Sequence, residues 1–366
     1  MYLEHLQVRN VRTIKETDLQ FSSRFNFITG INGSGKTSLL ESIYLLGVGR
    51  SFRSNQIKSI INNCSENLTV FGKLSEPGSD TLGIRRDKTG SFSVRINNVD
   101  QKQLSSLAHY LPTLLITPDS YKLLTSGPQY RRQFLDLSVF HVEQSFSNQW
   151  QRYNRALKQR NALLKKANSH SEVQIWDKEF SSLAESLHNT RNTEFLRLKQ
   201  HLEDIQGIFL PQYRVQYHYC SGWDSNSPQS FSEQLVSCFE VDKRYGYSTI
   251  GAHKSDIKIT IENQPVQDVL SRGEQKMLVN AMHLAQARRL SLDMEKNCLL
   301  LLDDLPSELD KNKQQLLVKE LINLSRVQLF ITAISEIDLN GDFFNKEELP
   351  VKMFHVEQGS VFEIKI

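Results

Sequence analysis

The spacing of hydrophobic residues changes along the chain, and each spacing predicts a type of element. Near the N-terminus, short stretches alternate between apolar and polar residues or are uniformly apolar, which predicts strands. These stretches are YLEHLQVRNV, SRFNFITG, LTVFGKL, TLGIRRD and FSVRINN. After the second of them, TSLLESIYLLGVG places leucine and isoleucine at helical spacing and stops at glycines, which predicts a helix.

The middle of the chain has a different character. From Ser145 to about Leu210 it is polar, rich in Gln, Asn, Lys and Arg, and predicts long helices. A strand, YRVQYHYC, then a helix over 273–290, the buried strand CLLLL, the helix KNKQQLLVKELINL and the strands QLFITAI and VFEIKI follow. The pattern predicts an α/β body built from both ends of the chain, residues 1–118 and 212–366, with a helical lobe inserted over 119–211.

Composition narrows the class of protein. The 366 residues suffice for two or three domain-sized units, and the net charge of +3 is too small to indicate a nucleic-acid partner by itself. The four cysteines have no CxxC or Cys/His spacing, which argues against a zinc site and a disulfide framework and fits a reducing compartment. With no signal peptide and no run approaching 18 apolar residues, we expect a soluble, cytoplasmic protein with no membrane association.

A phosphate-binding loop lies between a predicted strand and a predicted helix. GINGSGKT, Gly30 to Thr37, matches G-x-x-x-x-G-K-[ST] in its expected context. Glycines let successive N–H groups point at phosphate oxygens, and the helix adds its positive end. Lys36 should reach the β- and γ-phosphates, and the Thr37 hydroxyl should bind Mg²⁺. The predicted nucleotide-binding set is Gly30, Asn32, Gly33, Ser34, Gly35, Lys36, Thr37 and Ser38.

Two aspartates follow the buried strand CLLLL. Asp303 and Asp304 stand at its C-terminal end, where ligands of parallel sheets bind. We expect Asp303 to hold Mg²⁺ and Asp304 to orient or deprotonate the attacking water, so Lys36, Asp303 and Asp304 form the predicted catalytic set. The alternative, a pair of helix-capping aspartates, is weakened by the lysine loop elsewhere in the chain.

The stretch LSRGEQ has two compatible interpretations. Ser271 followed by Glu274 is a capping box in front of an amphipathic helix. A capped helix start also makes a good anion site, formed here by the Ser271 hydroxyl and the Gly273 N–H.

Together with the lysine loop and the DD strand, LSRGEQ resembles the signature of ATP-binding-cassette proteins. The order NVRTI, GINGSGKTSLLESIYLLGVGRSFR, PDSYKLLTSGPQYRRQFLD, GAHKSDI, LSRGEQK and DDLPSELD resembles the RecF family of bacterial recombination-mediator ATPases more narrowly. That resemblance implies an ABC-ATPase-type head: a P-loop sheet with flanking helices and an antiparallel β subdomain, carrying an inserted helical lobe.

The resemblance also implies roles for residues. Ser271 and Gly273 would bind the γ-phosphate held by a second copy, so ATP would join a homodimer. Arg12 would lie on the adenine face, and Ser307 to Asp310 would cross to the other subunit. A Thr332 where transporters carry a histidine, and an aspartate at 304 in place of glutamate, imply weak ATP hydrolysis. His253 and Asp256 match a family motif to which we assign no chemistry.

By resemblance, the partners are DNA with single-strand/double-strand junctions or gaps, and RecR and possibly RecO, with which the protein would load RecA. Independently, residues 121–166 carry nine Lys and Arg against two acids. The candidates for sequence-independent contact with DNA phosphates are Arg152, Arg155, Lys158 and Arg160. A solvated charged face is the alternative.

Other classes of ATPase remain as alternatives. A transporter ATPase subunit usually keeps its signature close to the lysine loop, whereas Ser271 lies 235 residues after Lys36. A P-loop kinase needs no LSRGE, and another SMC-like DNA-repair ATPase would need a longer heptad insertion than 145–210 provides.

Overall fold

The computed structural model describes residues 1–75, 78–304, 311–334 and 349–364. The chain divides into two compact units: a head unit, Met1–Ser120 with Asn280–Ile366, and an inserted unit, Tyr121–Val279. An interrupted head with an insertion was expected. The structural boundary at 279 differs from the predicted boundary at 211, because the strand pair that begins at 215 groups with the helices before it.

Strands and helices are numbered in chain order. The first sheet of the head unit has the order β2-β1-β4-β5-β6-β7 and is antiparallel throughout. Its strands are β1 (Leu3–Val11), β2 (Ile14–Gln20), β4 (Asn67–Leu74), β5 (Thr81–Asp87), β6 (Phe92–Ile96) and β7 (Val99–Gln101). The alternating apolar pattern of 68–99 therefore correctly predicted hairpins.

The second sheet of the head unit has the order β15-β14-β3-β13-β12-β8, and only its β14–β15 pair is antiparallel. Its strands are β3 (Phe25–Thr29), β8 (Thr113–Ile116), β12 (Cys298–Leu302), β13 (Val327–Ala333), β14 (Val351–Glu357) and β15 (Ser360–Ile364). Every residue of β3, β12 and β13 is buried. Strands covered on both faces read as continuous apolar runs, which is why CLLLL and QLFITAI were recognisable.

The head unit's helices are α1 (Lys36–Val48), α2 (Leu107–Tyr110), α11 (Lys311–Asn323) and the C-terminal part of α10 (Arg272–Arg288). Leu39, Ile43 and Leu46 of α1 belong to one hydrophobic core that includes residues of both sheets. This core fixes the position of α1, the helix that follows the lysine loop.

The inserted unit is mainly helical. Its helices are α3 (Lys122–Thr125), α4 (Pro128–Val142), α5 (Phe146–Leu164), α6 (Gln174–Phe209), α7 (Phe231–Ser237), α8 (Phe239–Tyr245), α9 (Val266–Val269) and the start of α10. A small antiparallel sheet has the order β11-β10-β9, with β9 (Val215–Cys220), β10 (Asp256–Ile261) and β11 (Gln264–Pro265). In the part of the chain that the structure describes, no helix has the length and apolarity needed to cross a membrane.

Candidate nucleotide-binding and DNA-binding sites

The lysine loop connects β3 to α1 and has a backbone that requires glycine. Gly30 and Gly35 have φ of 148° and 121°. A β-carbon on Gly30 would lie 2.4 Å from the carbonyl oxygen of Val356, and one on Gly35 would lie 3.0 Å from Thr13 Oγ1. Conformation and crowding therefore both exclude a side chain, and the loop stays close to the sheet.

Lys36 lies across the inside of this loop. Its Nζ donates hydrogen bonds to the carbonyl oxygens of Gly30 at 2.6 Å and Ile31 at 3.1 Å. Burial lowers the pKa of the Lys36 ammonium, and the carboxylates of Asp304 and Asp303 oppose that shift. The ammonium is thus held beside the loop by neutral acceptors, in reach of an anion bound there.

Asp303 is bound by two threonine hydroxyls from two different elements. Thr37 Oγ1 of α1 donates to Asp303 Oδ1 at 3.2 Å, and Thr332 Oγ1 of β13 donates to the same oxygen at 2.9 Å. The Thr332 hydroxyl also accepts the Asp304 N–H at 2.7 Å. Since β13 lies between β3 and β12, Thr332 connects the lysine-loop side of the sheet to the aspartate side.

These oxygens fit a magnesium ion. Burial raises the pKa of the Asp303 carboxyl, while its hydrogen bonds to Thr332 and Thr37 lower it. A partly buried carboxylate beside a threonine hydroxyl suits Mg²⁺, which typically takes one or two protein oxygens and completes its shell with phosphate oxygens and water. Among the described residues no group of three or more His, Cys, Asp and Glu side chains forms a metal site.

A cavity of about 320 Å³ lies above these groups. Its lining residues are Arg12, Thr13, Asn32, Gly33, Gly35, Lys36, Thr37, Ser38, Arg53, Pro118, Asp303, Asp304 and Thr332. Most of the predicted nucleotide-binding residues thus share one cavity. Ser34 is instead buried, and its Oγ has no hydrogen-bond partner among the described residues.

Four lining residues were absent from the predicted site: Thr13, Arg53, Pro118 and Thr332. Arg53 carries a positive charge to the cavity and weakly opposes the rise that burial causes in the pKa of the Asp303 carboxyl. It belongs to GRSFR, one of the motifs on which the family resemblance rests, and that motif could have pointed to Arg53 as a site residue. Thr13 follows Arg12 directly, and its Oγ1 donates to Ser38 Oγ at 3.4 Å.

Arg12 is fixed in position by a buried carboxylate. Its Nε and Nη2 donate to the two oxygens of Glu41 at 2.8 and 3.0 Å, and its Nη1 donates to the Ser59 carbonyl oxygen. Glu41 is fully buried in α1. Because the edges of the guanidinium are occupied, its face is the part left for an adenine ring, and contact with adenine stays a prediction.

The signature stretch belongs to the inserted unit and begins α10. Ser271 and Glu274 form the predicted capping interactions: Glu274 Oε2 accepts the Ser271 N–H at 2.9 Å and the Ser271 hydroxyl at 2.7 Å. Gln212 Nε2 donates to Glu274 Oε1 at 3.3 Å. These hydrogen bonds lower the pKa of the Glu274 carboxyl. Gly273 lies in the first turn of α10, whereas Asp310 and the rest of 307–310 lie outside the described residues.

The basic helix α5 contains no acidic residue. Arg152, Arg155 and Lys158 are exposed along it. The structure corrects the prediction for Arg160, which is fully buried and cannot contact DNA. Its Nε donates to Asp177 at 2.6 Å and its Nη1 to Asp242 at 2.6 Å. Arg155 and Arg160 are five residues apart and lie on different sides of α5. Residue type alone does not distinguish the exposed arginine from the buried one.

The GAHKSDI motif is part of the packing of the inserted unit. His253 Nδ1 lies 2.7 Å from the hydroxyl of the buried Tyr153, and His253 Nε2 lies 2.9 Å from the Ser248 carbonyl oxygen. Asp256 binds Arg131 through both carboxylate oxygens at 2.7 and 3.0 Å. Both side chains therefore contact helices of the same unit, His253 through Tyr153 of α5 and Asp256 through Arg131 of α4.

A family model and known relatives both match the chain over nearly its whole length. Residues 2–361 match the family model described as RecF/RecN/SMC N terminal domain. Over all 366 residues of both chains, the sequence is 42% identical to the DNA replication and repair protein RecF of Shewanella sp. (strain MR-4). It is 41% identical, over 99% of each chain, to the RecF protein of Aliivibrio fischeri.

Solved structures agree on the fold. A structure of the recombination mediator protein RecF with ATP, from the RecFOR pathway, superposes with a TM-score of 0.87 at 24% identity and covers 100% of this chain and 98% of that one. An SMC head bound to the C-terminal winged-helix domain of ScpA superposes with a TM-score of 0.60 at 14% identity over 100% and 98%. The predicted fold class, an ABC-ATPase-type head, is therefore confirmed.

Proposed function

The chain belongs to the RecF family of DNA replication and repair proteins, and we propose that it is an ATP-gated clamp on DNA. Two copies would each bind ATP with Mg²⁺ through the lysine loop and each complete the other's site with Ser271 and Gly273. The dimer would hold gapped or junction DNA and act in the cytoplasm with RecR and RecO to load RecA.

The arrangement around Asp303 is the observation that carries this proposal. Thr37 and Thr332 direct their hydroxyls at one carboxylate oxygen, beside a glycine-enforced loop with Lys36 inside it. Such preorganised groups suit a nucleoside triphosphate and leave little reorganisation for binding. The buried Ser34 hydroxyl, without a partner among the described residues, is a further donor to a phosphate oxygen.

Bound Mg²⁺ would neutralise charge on the phosphate oxygens. Side chains and backbone groups of the chain would perform the remaining steps. Lys36 and the loop N–H groups bind the phosphates, Thr37 and Asp303 supply oxygens to the metal site, and Asp304 orients the attacking water. Asp304 has a φ of 56°, and its N–H is bound by Thr332, so its position is set by the backbone. An aspartate reaches less far than a glutamate, and we expect slow hydrolysis that acts as a timer.

ATP bound between the two copies would stabilise the dimer. If each shared γ-phosphate adds about 3 kcal/mol of hydrogen bonding to charged groups, two sites add about 6 kcal/mol. That corresponds to roughly four decades in dimer affinity. Dimerisation would therefore be nearly all-or-none with ATP, and hydrolysis would release the DNA.

A DNA-binding titration with and without ATP and Mg²⁺, repeated across salt concentrations, tests the proposal. We expect tight binding with ATP, weak binding without it, and a steep loss of affinity with salt. A chain that binds DNA equally in both conditions is not gated by ATP. Association with a membrane permease would instead favour a transporter ATPase, and phosphate transfer to a metabolite by the monomer would favour a kinase.

A further inference from the structure

Two tyrosines stand exposed beside a sharp turn in the inserted unit. Tyr245 ends α8 and is 60% exposed, and Tyr247 is 43% exposed. Their ring centroids lie 5.7 Å apart with an interplanar angle of 35°. Gly246 between them has a φ of 71°, the left-handed conformation that ends the helix and brings the two rings to one side. Exposed single tyrosines are ordinary, but two neighbouring rings present a continuous aromatic surface.

This tyrosine pair is surrounded by cationic groups. Lys254 Nζ lies 5.2 Å from the centroid of the Tyr247 ring. The side chain of Lys165 crosses Gly246, because its Cγ and Cε would lie 3.3 and 3.5 Å from a β-carbon built on that glycine. Arg244 is exposed immediately before the pair. Of the two acids of α8, Asp242 is buried and bound to Arg160, so its charge is already matched, and Glu240 is exposed one turn before Arg244.

The pair lies where the basic face of α5 ends. Lys165 directly follows α5, which carries the exposed Arg152, Arg155 and Lys158. At 3.6 residues per turn these four side chains fall within an arc of about 140°, and they span about 20 Å along the helix. That length corresponds to about six base pairs of duplex. A row of cations thus leads to a pair of aromatic rings within one compact unit.

We infer that Tyr245 and Tyr247 form a stacking platform for unpaired bases, placed at the end of the phosphate-binding face of α5. The inference rests on the proposed binding of DNA and adds a reason for a junction to be preferred. Cations along α5 attract any nucleic-acid backbone, whereas a tyrosine ring needs an exposed base face, which a single strand offers along its length and a duplex only at its ends. Duplex would occupy the basic face, and the adjoining single strand would reach the rings.

The chemistry favours nucleic acid over a protein partner. A protein-binding hot spot typically lies in an apolar surround from which charge is depleted. Here Lys165, Arg244 and Lys254 border the rings, and α5 adds three more cations without an acid. Aromatic rings interleaved with cations are the arrangement that binds single-stranded nucleic acid.

The test compares the double variant Tyr245→Ser/Tyr247→Ser with wild-type protein on three DNAs: a single-stranded oligothymidylate, a blunt duplex and a duplex with a single-stranded extension. Gly246 is retained, so the turn is kept. We expect the variant to lose about tenfold or more in affinity for the single strand and for the extended duplex. Its affinity for blunt duplex, and its salt dependence there, should stay at the wild-type value.

Controls separate stacking from other effects. Tyr245→Phe/Tyr247→Phe keeps the rings and should restore wild-type binding. Tyr121→Ser removes another exposed tyrosine, 41% exposed, and should leave all three affinities unchanged. An equal loss on all three DNAs, or no loss on any, overturns the platform; the latter result would leave the exposed rings to a protein partner. ATP-dependent binding of blunt duplex by wild-type protein reports separately on the proposed function, and a wild-type protein that binds none of the three DNAs would reject both.

Discussion

The hydroxyl of Ser271 donates a hydrogen bond of 2.7 Å to the carboxylate of Glu274, which also accepts the Ser271 N–H at 2.9 Å. A hydroxyl has a single proton, so Ser271 cannot donate to Glu274 and to a phosphate at the same time. In the proposed dimer, Ser271 must therefore leave Glu274, and the glutamate charge lies near the γ-phosphate.

Glu274→Gln should strengthen ATP-dependent dimerisation. Glutamine can still accept both hydrogen bonds of the capping box, but it holds Ser271 less tightly and removes a like charge, for a gain of about tenfold at each site. The dimer dissociation constant, measured with a non-hydrolysable ATP analogue, checks this. Glu233→Gln is a matched control, since Ser230 and Glu233 form the same capping box at the start of α7. Equal effects of the two substitutions would contradict a special role for Glu274.

Thr332→Val should reduce ATP hydrolysis more than ATP binding. The substitution removes the hydroxyl that donates to Asp303 Oδ1 and accepts the Asp304 N–H, while Lys36 and the loop stay in place. Loss of a positioning hydrogen bond of this kind costs about tenfold or more in turnover. Nucleotide affinity by calorimetry and turnover by phosphate release separate the two effects, and Thr332→Ser should restore both. A variant that loses affinity instead would assign Thr332 to binding.

Arg160→Met should destabilise the inserted unit. Removing the guanidinium leaves the buried carboxylates of Asp177 and Asp242 without their partner, at a cost of about 3–5 kcal/mol in free energy of unfolding. Chemical denaturation measures this cost. Arg155→Met, at an exposed position on the same helix, should change stability by less than about 0.5 kcal/mol. Similar stabilities of the two variants would contradict the buried role of Arg160.

Arg155→Ala should weaken DNA binding without regard to base sequence. Loss of one phosphate contact lowers the slope of log affinity against log salt by about one. Fluorescence anisotropy across salt concentrations measures that slope, and Lys102→Ala removes a charge from an exposed position in the head unit as the control. If both substitutions change the slope equally, the charge of α5 is only a solvated face.

Stability should fall as the pH drops from about 6.5 to about 4. Burial lowers the pKa of His253 to about 4, from an ordinary value of 6.5. Within that window the unfolded chain takes up a proton that the folded chain does not, so the free energy of unfolding decreases; above pH 6.5 it stays level. Denaturation midpoints at pH 7.5 and 5 measure the decrease. His253→Gln should make it smaller, and an unchanged decrease would show that His253 is charged in the folded protein.

The sequence predicted the features that depend on local pattern. The buried runs of β12 and β13, the hairpins of the first sheet and the lysine loop all have signals within about ten residues. The contacts of Asp303 with Thr37 and Thr332 join positions 266 and 29 residues apart, and no local pattern encodes that proximity.

The burial of charged side chains was the second feature that the sequence did not predict. Arg155 and Arg160 have the same side chain on one helix, yet one is exposed and the other is fully buried between two aspartates. Those aspartates lie 17 and 82 residues away from Arg160. Helical spacing places the two arginines on different sides of α5, but it does not tell which side is buried. Arg53 shows a different limit: it is exposed, and only the tertiary structure places it at the edge of the cavity.

Sedimentation of the protein at micromolar concentration, with Mg²⁺ and a non-hydrolysable ATP analogue, tests the central claim most directly. The account predicts a monomer without nucleotide and a dimer with the analogue. It also predicts that Ser271→Arg binds the analogue but stays monomeric. A wild-type protein that remains a monomer with the analogue bound would contradict the ATP-gated clamp.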